Sequence, residues 1–143
     1  MAEESVTRTA VFLLGKLGQV ATGRFADRLA PHGLRPRHCG VLELLAAGPK
    51  AQLDLARTIG VTPSVVVDML DELEELDAVR RVRDTADRRR QLIELTPAGQ
   101  RLRRAAARLA RETDRELLDG LDAAEEAALR RVLDQIAQRE LLT

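Results

Sequence analysis

Three arginines stand in a row at Arg88, Arg89 and Arg90, directly after Asp87, and the alternating stretch Gln91-Leu92-Ile93-Glu94-Leu95 follows them. Clustered guanidinium groups are donors for phosphate, because each presents a planar fork that matches an oxyanion. Asp87 would repel such a partner unless it pairs with a neighbouring arginine and holds that fork in one orientation. The same charges on a solvated loop do no chemistry, so the row needs a context. A second set of candidates lies in "VTPSVVVD", Val61 to Asp68. Thr62 and Ser64 can donate to phosphate, helped by the free amides of a helix start. Val65 and Val67 offer contacts for thymine methyl groups, and Asp68 can accept from a cytosine amino group. A third set is "RPRHC", Arg35 to Cys39, where a histidine beside cations could receive a carboxylate or phenolate and a thiol could be activated.

Catalysis is not among the expectations. There is no Gly-x-Ser-x-Gly, no glycine-rich phosphate loop and no metallohydrolase pair. His32, His38 and Cys39 have a spacing that suits no tetrahedral metal site, so neither a metal nor another cofactor is expected. A single cysteine excludes an intramolecular disulfide framework and suits a reducing cytoplasm. No run approaches the roughly 20 apolar residues of a membrane span. Phe12 and Phe25 are the only aromatic residues, too few for the stacking platforms that hold single-stranded nucleic acid.

Acids and bases balance at 23 each over 143 residues, yet they are sorted along the chain. Asp68 to Asp77 holds six acids and no base, a local charge of −6; Arg80 to Arg90 holds six arginines against Asp84 and Asp87, a local charge of +4. The elements that would position these groups can be read from periodicity and punctuation. Val11, Leu14, Leu17, Ala21, Phe25 and Leu29 space a first helix from Ser5 to about Leu29, ended by Pro31 to Leu34. Pro36 opens a second helix, which runs to Gly48-Pro49. A short helix from Ala51 to Ile59 stops at Gly60, and another begins with Thr62 as cap and Pro63 in its first turn. Two helices joined by a tight glycine turn are a helix-turn-helix. Strands at Ala78 to Arg83 and Gln91 to Leu95 then flank the arginine loop. Thr96-Pro97 opens a long helix to Leu118, and Asp122 with Glu125 caps a last one that reaches Leu141. The fold class is mainly α with a small β-hairpin wing. Both terminal helices carry apolar stripes with little of their own chain to bury them, and a second copy would supply that surface.

The stretch "GVTPSVVVDMLDELEELDAVRRVRDTADRRRQLIELTPAG", Gly60 to Gly99, resembles the core of the MarR family of bacterial transcription regulators. Asp87-Arg88-Arg89 within the wing, followed by Leu95-Thr96-Pro97-Ala98-Gly99, matches the family pattern, and the element order matches over essentially the whole chain. The resemblance implies a homodimeric repressor that binds a pseudo-palindrome in double-stranded DNA. It implies one domain over 1–143, with a winged helix-turn-helix DNA-binding lobe at about 35–96 and dimerisation helices at about 5–30 and 97–141. In that arrangement the fourth helix enters the major groove, through Thr62, Ser64, Val65, Val67 and Asp68. The wing reaches the minor groove with Arg83, Asp87, Arg88, Arg89 and Arg90, where narrow A·T-rich segments concentrate negative potential.

The chain departs from the family where a polar residue and an arginine often stand, since it has Val67 and Asp68. Two readings of Asp68 stay open: it accepts from a cytosine, or it pairs with a protein arginine such as Arg57. Family members often bind small aromatic or phenolic anions between the dimer helices and the DNA-binding lobe. Carried over, that implies a site from His38, Arg37, Phe12 and Phe25, with Arg35 nearby; a hydrogen-bonded structural histidine is the plainer alternative. Some relatives sense peroxide with a cysteine near the start of the first helix. Cys39 lies in the second, where Arg37 and His38 could lower its pKa, although a small thiol there is more simply packing. The remaining function class is a protein-interaction module that reuses the winged helix, with the acidic fourth helix as its support.

Overall fold

Caps and breakers in the sequence decide where each helix begins and ends. Thr9, Thr62 and Thr96 each accept a hydrogen bond from an amide of the following helix's first turn, from Phe12, Val65 and Gly99 at 3.4, 3.4 and 2.9 Å. Asp122 and Glu125 form the reciprocal box expected of them, with Glu125 N donating to Asp122 at 2.8 Å and Asp122 N to Glu125 at 3.1 Å. These side chains satisfy amides that a helix start leaves without partners. The computed structural model describes residues 3–141. Its elements are α1 (Ala10–Leu29), α2 (Pro36–Ala46), β1 (Lys50–Ala51), α3 (Gln52–Ile59), α4 (Pro63–Glu75), β2 (Val79–Arg83), β3 (Gln91–Leu95), α5 (Pro97–Leu117) and α6 (Ala123–Leu141).

Two differences from the expectation have physical causes. Val6–Arg8 is a separate 3-10 turn capped by Ser5, so α1 starts only after Thr9, whose extended backbone interrupts the helix. The wing is also more than a hairpin: Lys50–Ala51 forms a third strand, and the antiparallel order is β1-β3-β2. Lys50 pairs with Ile93 and Ala51 with Leu92, while Val79 pairs with Leu95 and Arg83 with Gln91. A strand of two residues carries no periodic signal, so only the fold reveals it.

The core lies in the middle of the chain. Leu42 and Leu45 of α2, Leu55 of α3, Val66, Met69, Leu70 and Leu73 of α4, and Ile93 of β3 are all buried there, with Leu29 at the end of α1. Gly60, in the left-handed region at φ 81°, makes the turn between α3 and α4, and its N–H closes α3 by donating to Ala56 O at 2.9 Å. The terminal helices are different. Leu29 is the one buried residue of α1 and α6 has none among the described residues. Val11, Leu14, Leu17, Val132 and Leu133 stand in solvent, Val11 at 79% exposure. The middle of the chain is therefore a complete lobe, and its flanking helices present apolar surface outward.

Candidate nucleic-acid interface

The loop between β2 and β3, residues 84–90, is held by its own aspartates. Asp84 accepts from Ala86 N at 2.9 Å and Asp87 from Arg89 N at 3.1 Å, while Asp84 N donates to Arg90 O at 3.0 Å. Side chains that fold back on the backbone two residues on define such turns. The same Asp87 oxygen lies 3.5 Å from Arg89 Nε, so Asp87 does pair with a neighbouring arginine. The Arg89 side chain is 94% exposed, which leaves its outer nitrogens to meet a partner. Arg90 turns the other way and reaches Asp54 on α3 at 3.3 Å; Arg57 approaches the same carboxylate at 3.8 Å. Arg83 and Arg88 carry no ion pair among the described residues. Together Arg57, Arg83, Arg88, Arg89 and Arg90 line an open cleft of ≈ 710 Å³ between α3 and the wing, with Asp54 as the one carboxylate in its wall. Such an excess of guanidinium over carboxylate suits a phosphate backbone.

Asp54, Arg57 and Leu53 of this cleft were not among the expected site residues. Arg90 and Asp54 lie 36 positions apart, and nothing in the sequence links them.

At the start of α4, Thr62, Ser64 and Asp68 are exposed and Val65 and Val67 half-buried. The hydroxyls of Thr62 and Ser64 sit 3.1 Å apart, two donors at the helix N-terminus. Asp68 makes no ion pair among the described residues, and Arg57 turns to Asp54 instead. Its pairing with Arg57 is thus not realised. Of the later acids of α4, Asp71 and Glu74 hold Arg81 of β2, Asp71 at 2.9 Å, and Glu72 holds Arg37 of α2, while Glu75 makes no ion pair among the described residues. Arg80 pairs with Glu94 directly across the strands. Three of the six acids of the negative block, Asp71, Glu72 and Glu74, are thus paired with arginines of α2 and β2, while Asp68, Glu75 and Asp77 carry no ion pair among the described residues.

His38 has no exposed surface. Its Nδ1 accepts from Arg35 N at 2.9 Å and its Nε2 lies 3.3 Å from Glu72 Oε2. Burial pushes its pKa below the ordinary value; Glu72 opposes this and Arg37 and Arg35 add to it. Arg37 and His38 thus come together, but at Glu72. Phe12 lies under the Lys16 ammonium, 5.8 Å from ring centroid to nitrogen, and Phe25 lines a recess with Ala21, Ala110, Thr113 and Leu117. The four residues do not line one cavity, because the histidine is sealed in the lobe. Cys39 follows the plainer of its two readings, a packed thiol: burial, then the nearby Glu43, pushes it up, where activation by Arg37 and His38 would have lowered it. A protonated thiol is a poor redox nucleophile. No helix is long and apolar enough to cross a membrane among the described residues.

Residues 32–90 match the profile of the MarR family. The transcriptional regulator HosA of Escherichia coli is 32% identical over 114 residues, covering 79% of this chain and 83% of that protein. The HTH-type transcriptional repressor Rv2887 of Mycobacterium tuberculosis is 29% identical over 126 residues, covering 87% of this chain and 91% of its own. Among solved structures, CouR from Rhodococcus jostii bound to p-coumaroyl-CoA is 30% identical with a TM-score of 0.81, covering 99% and 98% of the two chains. The repressor CouR has also been solved on a 23-mer DNA duplex, where it is 29% identical with a TM-score of 0.81 over 95% of this chain and 99% of that one.

Proposed function

The chain belongs to the MarR family of transcriptional regulators, and on that premise we propose that it is a repressor that binds double-stranded DNA as a homodimer. One observation carries the reading: five arginines from α3 and the wing converge on a single cleft, and Arg83 and Arg88 there lack protein partners among the described residues. In this reading the wing follows the DNA backbone and inserts Arg88 or Arg89 into the minor groove. The start of α4 enters the major groove with Thr62 and Ser64 on phosphates and Val65, Val67 and Asp68 toward bases. The repressor CouR, solved on duplex DNA, supports it.

Dimerisation is supported by the apolar surface of α1 and α6. A groove of ≈ 430 Å³ between α1, α5 and α6 is walled by Leu14, Leu17, Leu117, Leu129 and Leu133, and a second copy would cover it. Two-fold symmetry then pairs two half-sites about one helical turn apart on a pseudo-palindrome. Residues 35–96 form the DNA-binding lobe, and about 5–30 and 97–141 the dimerisation helices. Release by a small ligand completes the proposal, supported by CouR's capture of p-coumaroyl-CoA. An interaction module without DNA loses part of its support, because Asp71, Glu72 and Glu74 of α4 are spent on arginines of the same chain.

Fluorescence anisotropy on a labelled duplex from the DNA flanking the protein's own gene, titrated from about 50 to 200 mM salt, tests the reading. Affinity should fall steeply, with log K changing by about −0.9 per log unit of salt for each phosphate contact. Absence of salt-dependent duplex binding would overturn it.

A further inference from the structure

The buried stripe of α4, Val66, Met69, Leu70 and Leu73, is apolar and non-directional, so it fixes the position of the helix better than its roll. Roll is set by polar contacts at the edges of that stripe. On one edge Arg81 holds Asp71 and Glu74, both exposed, and such surface pairs re-form readily in water. The contact on the other edge is of a different kind. Glu72 meets the wholly buried imidazole of His38, beside the partly exposed Arg37 and with Arg35 at 4.0 Å.

The proton on that imidazole is placed by the backbone. His38 Nδ1 accepts from Arg35 N at 2.9 Å, the bond that caps α2, so in the neutral ring the hydrogen sits on Nε2. Nε2 points to within 3.3 Å of Glu72 Oε2 without the alignment of a hydrogen bond, and it has no other partner among the described residues. A sealed donor therefore has a single carboxylate within reach. Charging the ring would put a second proton on Nδ1, against the Arg35 N–H, and break the cap. The charged groups that face the ring are Glu72 from α4 and Arg35 and Arg37 from the start of α2. Glu72 follows Val65 by seven residues and Asp68 by four, so the three share one side of the helix. Any roll that frees Glu72 moves Val65 and Asp68 through the same angle.

We propose that His38 and Glu72 form a lock that sets the roll of α4, making both positioning residues for base selection. The inference rests on α4 being the helix that reads DNA. Rolling α4 away takes the one carboxylate within reach of this buried N–H out of range, and the loss of that short-range attraction selects one presentation of Val65 and Asp68 to the groove.

Selection of half-sites from a randomised duplex library, by wild type, Glu72→Gln, Glu72→Ala and Arg37→Ala, tests the lock. Glu72→Gln keeps an acceptor for Nε2–H and should retain the wild-type base profile. Glu72→Ala should lower the specific-to-non-specific ratio by about tenfold, the scale of one lost charged contact to a buried polar group. Arg37→Ala loses only the surface partner and should keep the profile. Nitrogen NMR of His38 gives a second readout, with the Nε2–H tautomer in wild type and Nε2–H exchange accelerated in Glu72→Ala alone. A melting temperature that falls in Glu72→Ala while the base profile overlays wild type would make the contact merely structural and overturn the lock, leaving the DNA-reading assignment intact. A wild type that selects no sequence overturns that assignment and the lock with it.

Discussion

Replacing Gly99 with alanine puts a methyl group where the fold has no room. A Cβ there would lie 2.0 Å from Ala78 O, 2.9 Å from Ala78 C and 2.6 Å from Leu95 Cδ1. The carbonyl is fixed, since it accepts from Thr96 N at 3.0 Å, and Thr96 in turn caps α5 by accepting from Gly99 N at 2.9 Å. The first turn of α5 must back away from the entrance of β2. Alanine gains about 0.5–1 kcal/mol over glycine in a helix. Against that stand about 1–3 kcal/mol of overpacking and about 1 kcal/mol for a disturbed cap. The net loss is about 1–3.5 kcal/mol, and at about 2–4 °C per kcal/mol for a chain near this size it lowers Tm by about 2–14 °C. Circular dichroism melting at fixed protomer concentration reads the shift, since a dimer's Tm depends on concentration. Gly40→Ala is the control: nothing lies within 4 Å of its Cβ, so it should melt at or above wild type. A Gly99→Ala protein melting within about 2 °C of wild type, or above Gly40→Ala, would refute the argument.

Four further outcomes are expected. Arg88→Ala should leave Tm unchanged and make the salt dependence of DNA binding shallower by about one phosphate contact, read by anisotropy. Asp68→Ala should relax preference at one base pair per half-site by about 1–3 kcal/mol while non-specific binding holds or rises, as measured on a randomised library; an unchanged base profile would remove Asp68 from base readout. Leu17→Glu, placed in the α1–α5–α6 groove, should shift sedimentation from dimer toward monomer. His38 has its pKa lowered by folding, so the unfolded chain binds the proton more readily. Stability should be fullest above the ordinary value of 6.5 and decline as pH falls from there toward the lowered folded value, with the decline blunted in His38→Gln.

Local signals were legible in the sequence and long-range ones were not. Thr62, Thr96 and the Asp122–Glu125 box speak through neighbours within three residues, and the structure has them as caps. The glycine turn at Gly60 and the stripe of α4 were equally readable, because helical period and positive φ leave marks in residue type. Asp87 could be paired with a nearby arginine for the same reason. Contacts across the lobe had no such mark. The partner of Arg57 is Asp54 rather than Asp68, and the partner of His38 is a carboxylate 34 positions away, so the sequence can offer a structural histidine without naming what it meets. Strand β1 stayed hidden because two residues define no period.

The zero net charge of the chain is a poor guide to its partner, because folding sorts charges that the sequence only adds up. The acids of α4 would repel a duplex if they stood free. Instead Glu72 is drawn toward α2, and Asp71 and Glu74 toward β2, so three of the five acids of α4 are paired. The arginines that do this work, Arg37 and Arg81, have their charge met within the chain. At the wing, Arg83 and Arg88 make no ion pair among the described residues, and Arg89 is held in place by Asp87 but exposed. The local field at the cleft is thus set by about three available guanidiniums, because exposed charges farther away than a Debye length of roughly 8 Å are largely screened. Salt dependence of duplex binding should accordingly follow the wing arginines, and substitutions at the paired Arg81 should appear in stability instead.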